Sequence, residues 1–350
     1  MSSTPIRKVV ISEFGDVSKV NCVNSTIEPP KAGEVQVAPL YSVFSGSDIN
    51  MRRGTYPMQK KAPLTPGYAL SGIAKTNGTY IKAGDLVTSM TKYGAQAELA
   101  NVEEKFLIRI PKGVSPEAAP AILLDWATAY GMVDRSAKVQ KGQRVFIHGI
   151  SGAVGFATMK LCLLRGAEVY GTASERNHQA IRDQGATPFV YTDKNWIKAM
   201  QGLGGVHAVF DALGPDSWEE SYSILPPCAK GDERGILVGY GANQTAIDNT
   251  DVGSAGTLSQ VIPVMKLFLK NVKVFSNRST TFFCIAKDQA TFVPDCETIF
   301  DLVQSGQIEI PIRNVWDMEN IQEAHKNWGS GSGYGSNLIS IPKNQYNSEF

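Results

Sequence analysis

Between residues 144 and 176 the chain changes hydrophobic period twice. Val145, Phe146 and Ile147 are consecutive apolar positions, the pattern of a strand buried on both faces. Gly149, Gly152 and Gly155 follow. Val154, Ala157, Met159, Leu161 and Leu164 then mark the inward face of a helix, which Gly166 closes at its C′ position. A second strand, Glu168–Thr172, completes the unit. A helix N-terminus offers unpaired N–H groups and a partial positive charge, so this strand, glycine turn and helix predict a seat for a dinucleotide pyrophosphate.

The rest of the chain divides by pattern. Up to about residue 125, short runs (Lys8–Ile11, Glu34–Pro39, Gly72–Lys75, Leu86–Ser89) are broken by Pro-Pro, Lys-Ala-Gly and Asn-Gly turns, which reads as an irregular, mostly antiparallel β domain. Pro120–Val133 is helical in character. Strands then alternate with helices: Arg144–His148, Glu168–Thr172, Pro188–Tyr191, Ala208–Ala212, Gly235–Gly239 and Val272–Phe275. That alternation predicts an α/β, doubly wound parallel sheet. Beyond it, a helix is expected at Pro294–Ser305, a turn opening at Val315–Asp317, a short helix at Ile321–Asn327 and a last strand at Asn337–Ile341. The expected division is 126–284 for the dinucleotide-binding domain, with 1–125 and 285–350 forming the other.

Composition narrows the function classes. The chain has 350 residues, 43% apolar and 19% charged, with a net charge of +1. This is a globular composition sized for about two domains. It has no excess of basic residues to favour nucleic acid, and no run near the ~18 apolar residues of a membrane helix. The start, MSSTPIRKVV, lacks the apolar core of a signal peptide, and five scattered cysteines suit a reducing compartment. A cytoplasmic protein is expected.

The second strand discriminates between dinucleotides. In the G-x-G-x-x-G register Ile150 takes the first slot, with Gly152 and Gly155 in the others. An NAD site wants a carboxylate at the end of that strand. Here the slot is Ala173, followed by Ser174 and Arg176, a hydroxyl and a guanidinium suited to a 2′-phosphate. The expected cofactor is NADPH, although Arg176 also reads as a solvated surface charge.

KVQKGQRVFIHGISGAVG, with TAY before it and GTAS after it, resembles the medium-chain dehydrogenase/reductase superfamily. SGSDINMRRGTYP (45–57), PLTPGYALSGIA (63–74), VFDALG (209–214), ILVGYGA (236–242) and GSNLISIP (335–342) resemble its zinc-free quinone oxidoreductase and enoyl reductase branch. The resemblance implies a GroES-like β domain beside a Rossmann domain, with a substrate cleft between them. It implies cofactor contacts from Thr128, Tyr191 and Asn337, which join Ser151, Gly152, Ala153, Val154, Ser174, Arg176, Gly239 and Tyr240 in the expected cofactor site. It also implies a homodimer through the Rossmann edge strand, here Val272–Phe275.

Zinc-dependent members of the superfamily carry Cys and His ligands where this chain has Ser45–Ser47 and Gly67–Tyr68–Ala69, and no C-x-x-C pair occurs. No metal is expected. His148 reads as the end of a buried strand and His325 as part of a surface helix. Hydride transfer without a Lewis acid suits an acceptor that is already electron-poor, an α,β-unsaturated carbonyl or a quinone. The candidate catalytic residues are Tyr56, as a substrate-side hydroxyl or as packing at the cleft mouth, with Ser45 and Asn50 shaping the pocket. Asp125 is a candidate acid or a simple cap. Asp48 is expected to orient its loop, and Arg52 and Arg53 to be surface charges. Ser45, Asn50 and Ile150 depart from the family pattern, which suggests a specialised substrate, such as that of a secondary-metabolite tailoring or trans-acting enoyl reductase. The competing class is a non-redox ligand-binding or cyclisation protein with the cofactor structural or absent.

Overall fold

The computed structural model describes residues 3–226, 234–241, 243, 257–272 and 276–346. Strands β1 (Thr4–Ile11), β2 (Val20–Ile27), β3 (Glu34–Phe44), β4 (Ala69–Ala74), β5 (Leu86–Met90), β6 (Ala100–Glu103) and β7 (Ile108–Arg109) build the first part. The second part holds β8 (Arg144–Ile147), β9 (Glu168–Ala173), β10 (Thr187–Val190), β11 (Ala208–Asp211), β12 (Gly235–Gly239) and β13 (Arg278–Phe282). The chain then returns through β14 (Ile312–Asp317) and β15 (Ser336–Ser340).

β1 and β2 form an antiparallel pair, and a seven-stranded sheet runs β14-β15-β3-β4-β5-β7, with β6 also on β3. Val37, Leu70 and Val87 fill its interior. The other sheet has six parallel strands in the order β10-β9-β8-β11-β12-β13. β8 is central and covered on both faces. Val145 and Ile147 join the main core, while Phe146 faces a second core and stacks on Trp196 at 4.8 Å. Strand order reverses between β8 and β11, so a crevice opens at the carboxyl ends of these strands, where ligands of such sheets bind.

A continuous helical run from Ala118 to Ser136 joins the two parts, with π-helical turns at Ile122–Trp126 and Gly131–Ser136. Among the described residues no helix is long and apolar enough to cross a membrane. Cys22, Cys162, Cys284 and Cys296 are free thiols; Cys228 lies outside the described residues.

Five expectations need correction. The edge strand is β13, not Val272–Phe275: Lys270–Val272 is a 3₁₀ turn, and 273–275 lie outside the described residues. Asn271 sets this edge, donating to Thr280 O at 2.9 Å and accepting from Thr280 N at 2.7 Å. Val315–Asp317 is the end of strand β14 rather than a turn, because it pairs in parallel with β15. Leu164 is exposed at the end of its helix. Arg52 and Arg53 are buried, at 2% and 3% exposure, and Arg52 donates to Gly15 O at 2.6 Å. His325 is also buried, edge-on to Phe44 at 5.0 Å, and burial beside Arg52 and Arg53 pushes its imidazole down to about 3.

Candidate active site

The glycine turn after β8 works differently from the fingerprint register. Gly149 takes the left-handed conformation at φ 65°, and so makes the tight turn that the Ile150 slot does not. Ile150 is fully buried, and its N–H donates to Thr172 O at 2.9 Å, which ties the turn to β9. Gly155 is obligatory for packing, since a Cβ there would lie 2.2 Å from Gly149 O. Gly152 caps the helix Ala153–Leu164, and no side chain satisfies its first amides. The first turn, with Ala153 and Val154, therefore presents free N–H groups to the crevice.

The end of β9 meets a loop from the far end of the chain. Asn177 Nδ2 donates to Ser151 Oγ at 3.2 Å, and Gly333 N donates to Asn177 Oδ1 at 2.9 Å. Gly335 N donates to Ser151 O at 3.3 Å. Tyr334 stacks flat on Phe156 with centroids 4.3 Å apart, which pins the 329–335 loop over the helix. Arg176 donates to Gly329 O at 3.5 Å. Arg313, on β14, donates to Ser330 O and Gly331 O, both at 2.6 Å. Ser174 follows β9, and the parallel register ends with Val190 opposite Ala173, so Ser174 and the exposed Tyr191 leave the sheet side by side. An uncapped helix start beside two guanidinium groups fits an anionic dinucleotide.

A second group lies at the end of β12. A Cβ on Gly239 would press on the Trp218 and Phe282 rings at 3.2 Å, so this strand end is tightly packed. Tyr240 N donates to Asp211 O at 3.0 Å; its own phenol is pushed up by burial, with the nearby Asp211 and Asp125 adding to the effect. Asp125 sits in the first π turn and is 1% exposed. Its carboxyl accepts from Ser336 Oγ at 2.6 Å. Burial raises it to about 7, the Ser336 bond opposes that rise, and Asp48 adds to it. Thr128 is buried in the following turn, and Asn337 accepts from Asn314 Nδ2 at 2.9 Å.

The 45–56 segment forms the opposite wall. Ser45 is the N-cap of helix Gly46–Arg53: its Oγ accepts from Ser47 N at 3.2 Å, and Asp48 Oδ2 accepts from Ser45 N at 2.9 Å. Its hydroxyl is thus committed to a capping box rather than free for a ligand. Asp48 is buried, also accepts from Gln96, and is raised to about 6 mainly by desolvation. Asn50 Nδ2 donates to Asn243 Oδ1 at 3.3 Å, linking this wall to the segment after β12. Tyr56 Oη lies 2.9 Å from Tyr68 Oη, and the Lys92 ammonium stands 5.3 Å over the Tyr56 ring. Burial pushes the Tyr56 phenol strongly up, with Tyr68 and then Cys284 contributing, so it stays protonated in neutral solution.

The structure thus gathers Ser151, Gly152, Ala153, Val154, Ser174 and Arg176 at one end of the crevice, and Asp125, Tyr240 and Asn337 further along it. Tyr56 and Asn50 stand on the facing wall. Sequence reasoning missed Tyr68, Asn177, Asn243 and Arg313. Tyr68 stands inside the quoted PGYALSG motif; Arg313 had no local signal. Among the described residues no cluster of three His, Cys, Asp or Glu could hold a metal.

Comparison with known proteins agrees with this architecture. Residues 153–288 match the family model described as zinc-binding dehydrogenase, and the 45–47 and 67–69 slots lie outside that match. The human synaptic vesicle membrane protein VAT-1 homolog-like is 26% identical over 350 residues, covering 97% of this chain and 81% of its own. Escherichia coli quinone oxidoreductase complexed with NADPH superposes at TM-score 0.77 with 21% identity, covering 95% of this chain and 99% of that one. CurK enoyl reductase superposes at 0.79 with 19% identity, covering 96% and 99%. The six-stranded parallel sheet and its separate companion sheet are the fold of these quinone oxidoreductase and enoyl reductase structures. The chain is thus similar in fold to medium-chain dehydrogenase/reductases of the quinone oxidoreductase type, and in sequence to the VAT-1 homologues.

Proposed function

We propose that the protein is an NADPH-dependent reductase that transfers hydride to an electron-poor acceptor, an α,β-unsaturated carbonyl or a quinone. The observation that carries this reading is the uncapped helix start after β8, tied through Ser151, Asn177 and the 329–335 loop to Arg176; the Tyr56–Tyr68 hydroxyl pair supplies the candidate donor to the acceptor. The relatives named quinone oxidoreductase and enoyl reductase support it. The proposed domains are 126–284 for the cofactor and 1–125 with 285–350 for the acceptor.

NADPH, when bound, supplies the hydride. The amides of Ala153 and Val154 would hold its pyrophosphate; Ser174, Arg176 and Tyr191 would face its 2′-phosphate; Thr128, Tyr240 and Asn337 would line the nicotinamide end. Tyr56, protonated and steadied by Tyr68, would donate a hydrogen bond to the acceptor oxygen as negative charge develops there. The buried Asn50 would shape the pocket through Asn243. With no thiolate or imidazole in the 45–47 or 67–69 slots, hydroxyl donors would carry the polarising role.

A secondary-metabolite or carrier-bound acceptor, a cytoplasmic setting and a homodimer belong to the same reading. The dimer edge would now be β13, and pairing there requires Asn271 to release Thr280; sedimentation of N271A against the parent chain tests it. The functional test is loss of NADPH absorbance near about 340 nm with 9,10-phenanthrenequinone and with a simple enone. Turnover supports the proposal. Tight NADPH binding without turnover on any acceptor supports the non-redox ligand-binding class instead.

A further inference from the structure

We propose that Arg313, contributed by β14 from outside the Rossmann sheet, is a specificity-determining residue that joins Arg176 in gripping the 2′-phosphate of NADPH. The inference rests on the cofactor reading above and extends it to a residue that no motif marks.

Three observations converge. First, Arg313 Nη2 alone carries both carbonyl bonds and Nε is buried without a hydrogen-bond partner among the described residues, so most of its planar donor set is uncommitted. Second, Arg313 and Arg176 lie close enough to repel: burial lowers the Arg313 guanidinium, and the neighbouring Arg176 lowers it further. Neither makes an ion pair among the described residues. Their partners are the successive carbonyls of Gly329, Ser330 and Gly331. Carbonyl dipoles only partly offset two like charges, so a dianion is the complementary guest. Third, the place is right. The same loop is bonded through Gly333 to Asn177, and through Gly335 to Ser151, beside the helix start that would hold the pyrophosphate.

A phosphate oxygen on the uncommitted Arg313 donors would add a charged acceptor while Nη2 keeps the Ser330 and Gly331 carbonyls. It would thereby tie β14 and the 329–335 loop to the end of β9. Preference for the phosphorylated dinucleotide would then arise from both halves of the molecule rather than from the strand end alone.

The test is calorimetric titration of the full chain with NADPH, NADH, 2′,5′-ADP and 5′-AMP. The parent chain should prefer the 2′-phosphorylated member of each pair. Arg313→Gln should weaken 2′,5′-ADP by about tenfold or more while leaving 5′-AMP within about twofold. Arg313→Lys, which keeps the charge, should retain most of the preference, and the salt dependence of 2′,5′-ADP binding should flatten in R313Q. Equal weakening of both fragments by R313Q would assign Arg313 to loop structure alone and overturn the inference. So would indifference of the parent chain between NADPH and NADH. Failure to bind either dinucleotide would instead overturn the proposed function.

Discussion

The hydroxyls of Tyr56 and Tyr68 lie 2.9 Å apart, with their rings edge to face at a centroid distance of 6.1 Å. The first follows the Gly-Thr turn after the capped helix and the second immediately precedes β4, so the 45–56 segment and the sheet meet at this pair. When Tyr68 donates to Tyr56, the Tyr56 O–H keeps its proton, in a fixed geometry, for a third partner. Tyr56→Phe should lower kcat on an enone by about 10²-fold with NADPH affinity unchanged, as loss of one positioned donor does. Tyr68→Phe should cost less, because the donor remains and only its orientation is relaxed. Steady-state kinetics with calorimetry separate the two, and equal rates for Y56F and the parent chain would remove Tyr56 from the chemistry.

Ser45 has a different duty from the one its sequence position suggests. It closes a capping box with Asp48 at the head of Gly46–Arg53. Ser45→Ala should therefore destabilise the fold by about 1 kcal/mol, and Ser45→Thr should restore most of that. Urea unfolding of the three proteins reads this directly; an S45A curve lying on that of the parent chain would contradict the cap.

The parallel sheet was legible because its strands are written as unbroken apolar runs, and β8 to β12 fall within one residue of the sequence reading. β13 was not legible. Its Arg-Ser-Thr-Thr-Phe composition is polar, and long-range bonds define it, from Asn271 to Thr280 and from Arg278 to Pro226 O. β14 failed for a related reason, since Ile312–Asp317 is half-exposed and owes its extended form to pairing with β15. Burial of Arg52, Arg53 and His325 is likewise a tertiary fact that charge in the sequence argues against. The site shows the same limit: the glycine turn and its helix are local and were read, whereas Tyr68, Asn243 and Arg313 arrive from distant segments.

The glycine turn permits a comparison of two positions that the fingerprint treats alike. A Cβ on Gly155 would meet the Gly149 carbonyl oxygen at 2.2 Å, but on Gly152 it would meet the same oxygen at 3.2 Å. The first contact is with backbone and cannot be relieved by a rotamer change. Gly155→Ala should cost roughly 2 kcal/mol or more of stability and weaken NADPH together with it, whereas Gly152→Ala should disturb binding more than folding. Unfolding midpoints and NADPH titrations of the two variants check the split, and an unperturbed midpoint in G155A would refute the packing argument.

Asp125 makes stability depend on pH with a predictable sign. Burial holds its carboxyl up to about 7, whereas an unfolded aspartate titrates near ~3.9. Between those values the folded chain keeps a proton that the unfolded chain has lost, so this group makes stability fall as pH rises through the window. Asp125→Asn keeps the shape and never ionises. Its unfolding free energy relative to the parent chain should therefore improve from about pH 5 to about pH 8, by at most about 1.4 kcal/mol per pH unit inside the window. Asp48, raised to about 6, gives both proteins a slope of the same sign and largely cancels in the difference. Ser336→Ala removes the donor that opposes the rise, so it should carry the window upward. Denaturant unfolding at three pH values measures all of this. Parallel pH profiles for D125N and the parent chain would mean that Asp125 is ionised in the fold and that a partner other than Ser336 offsets its charge.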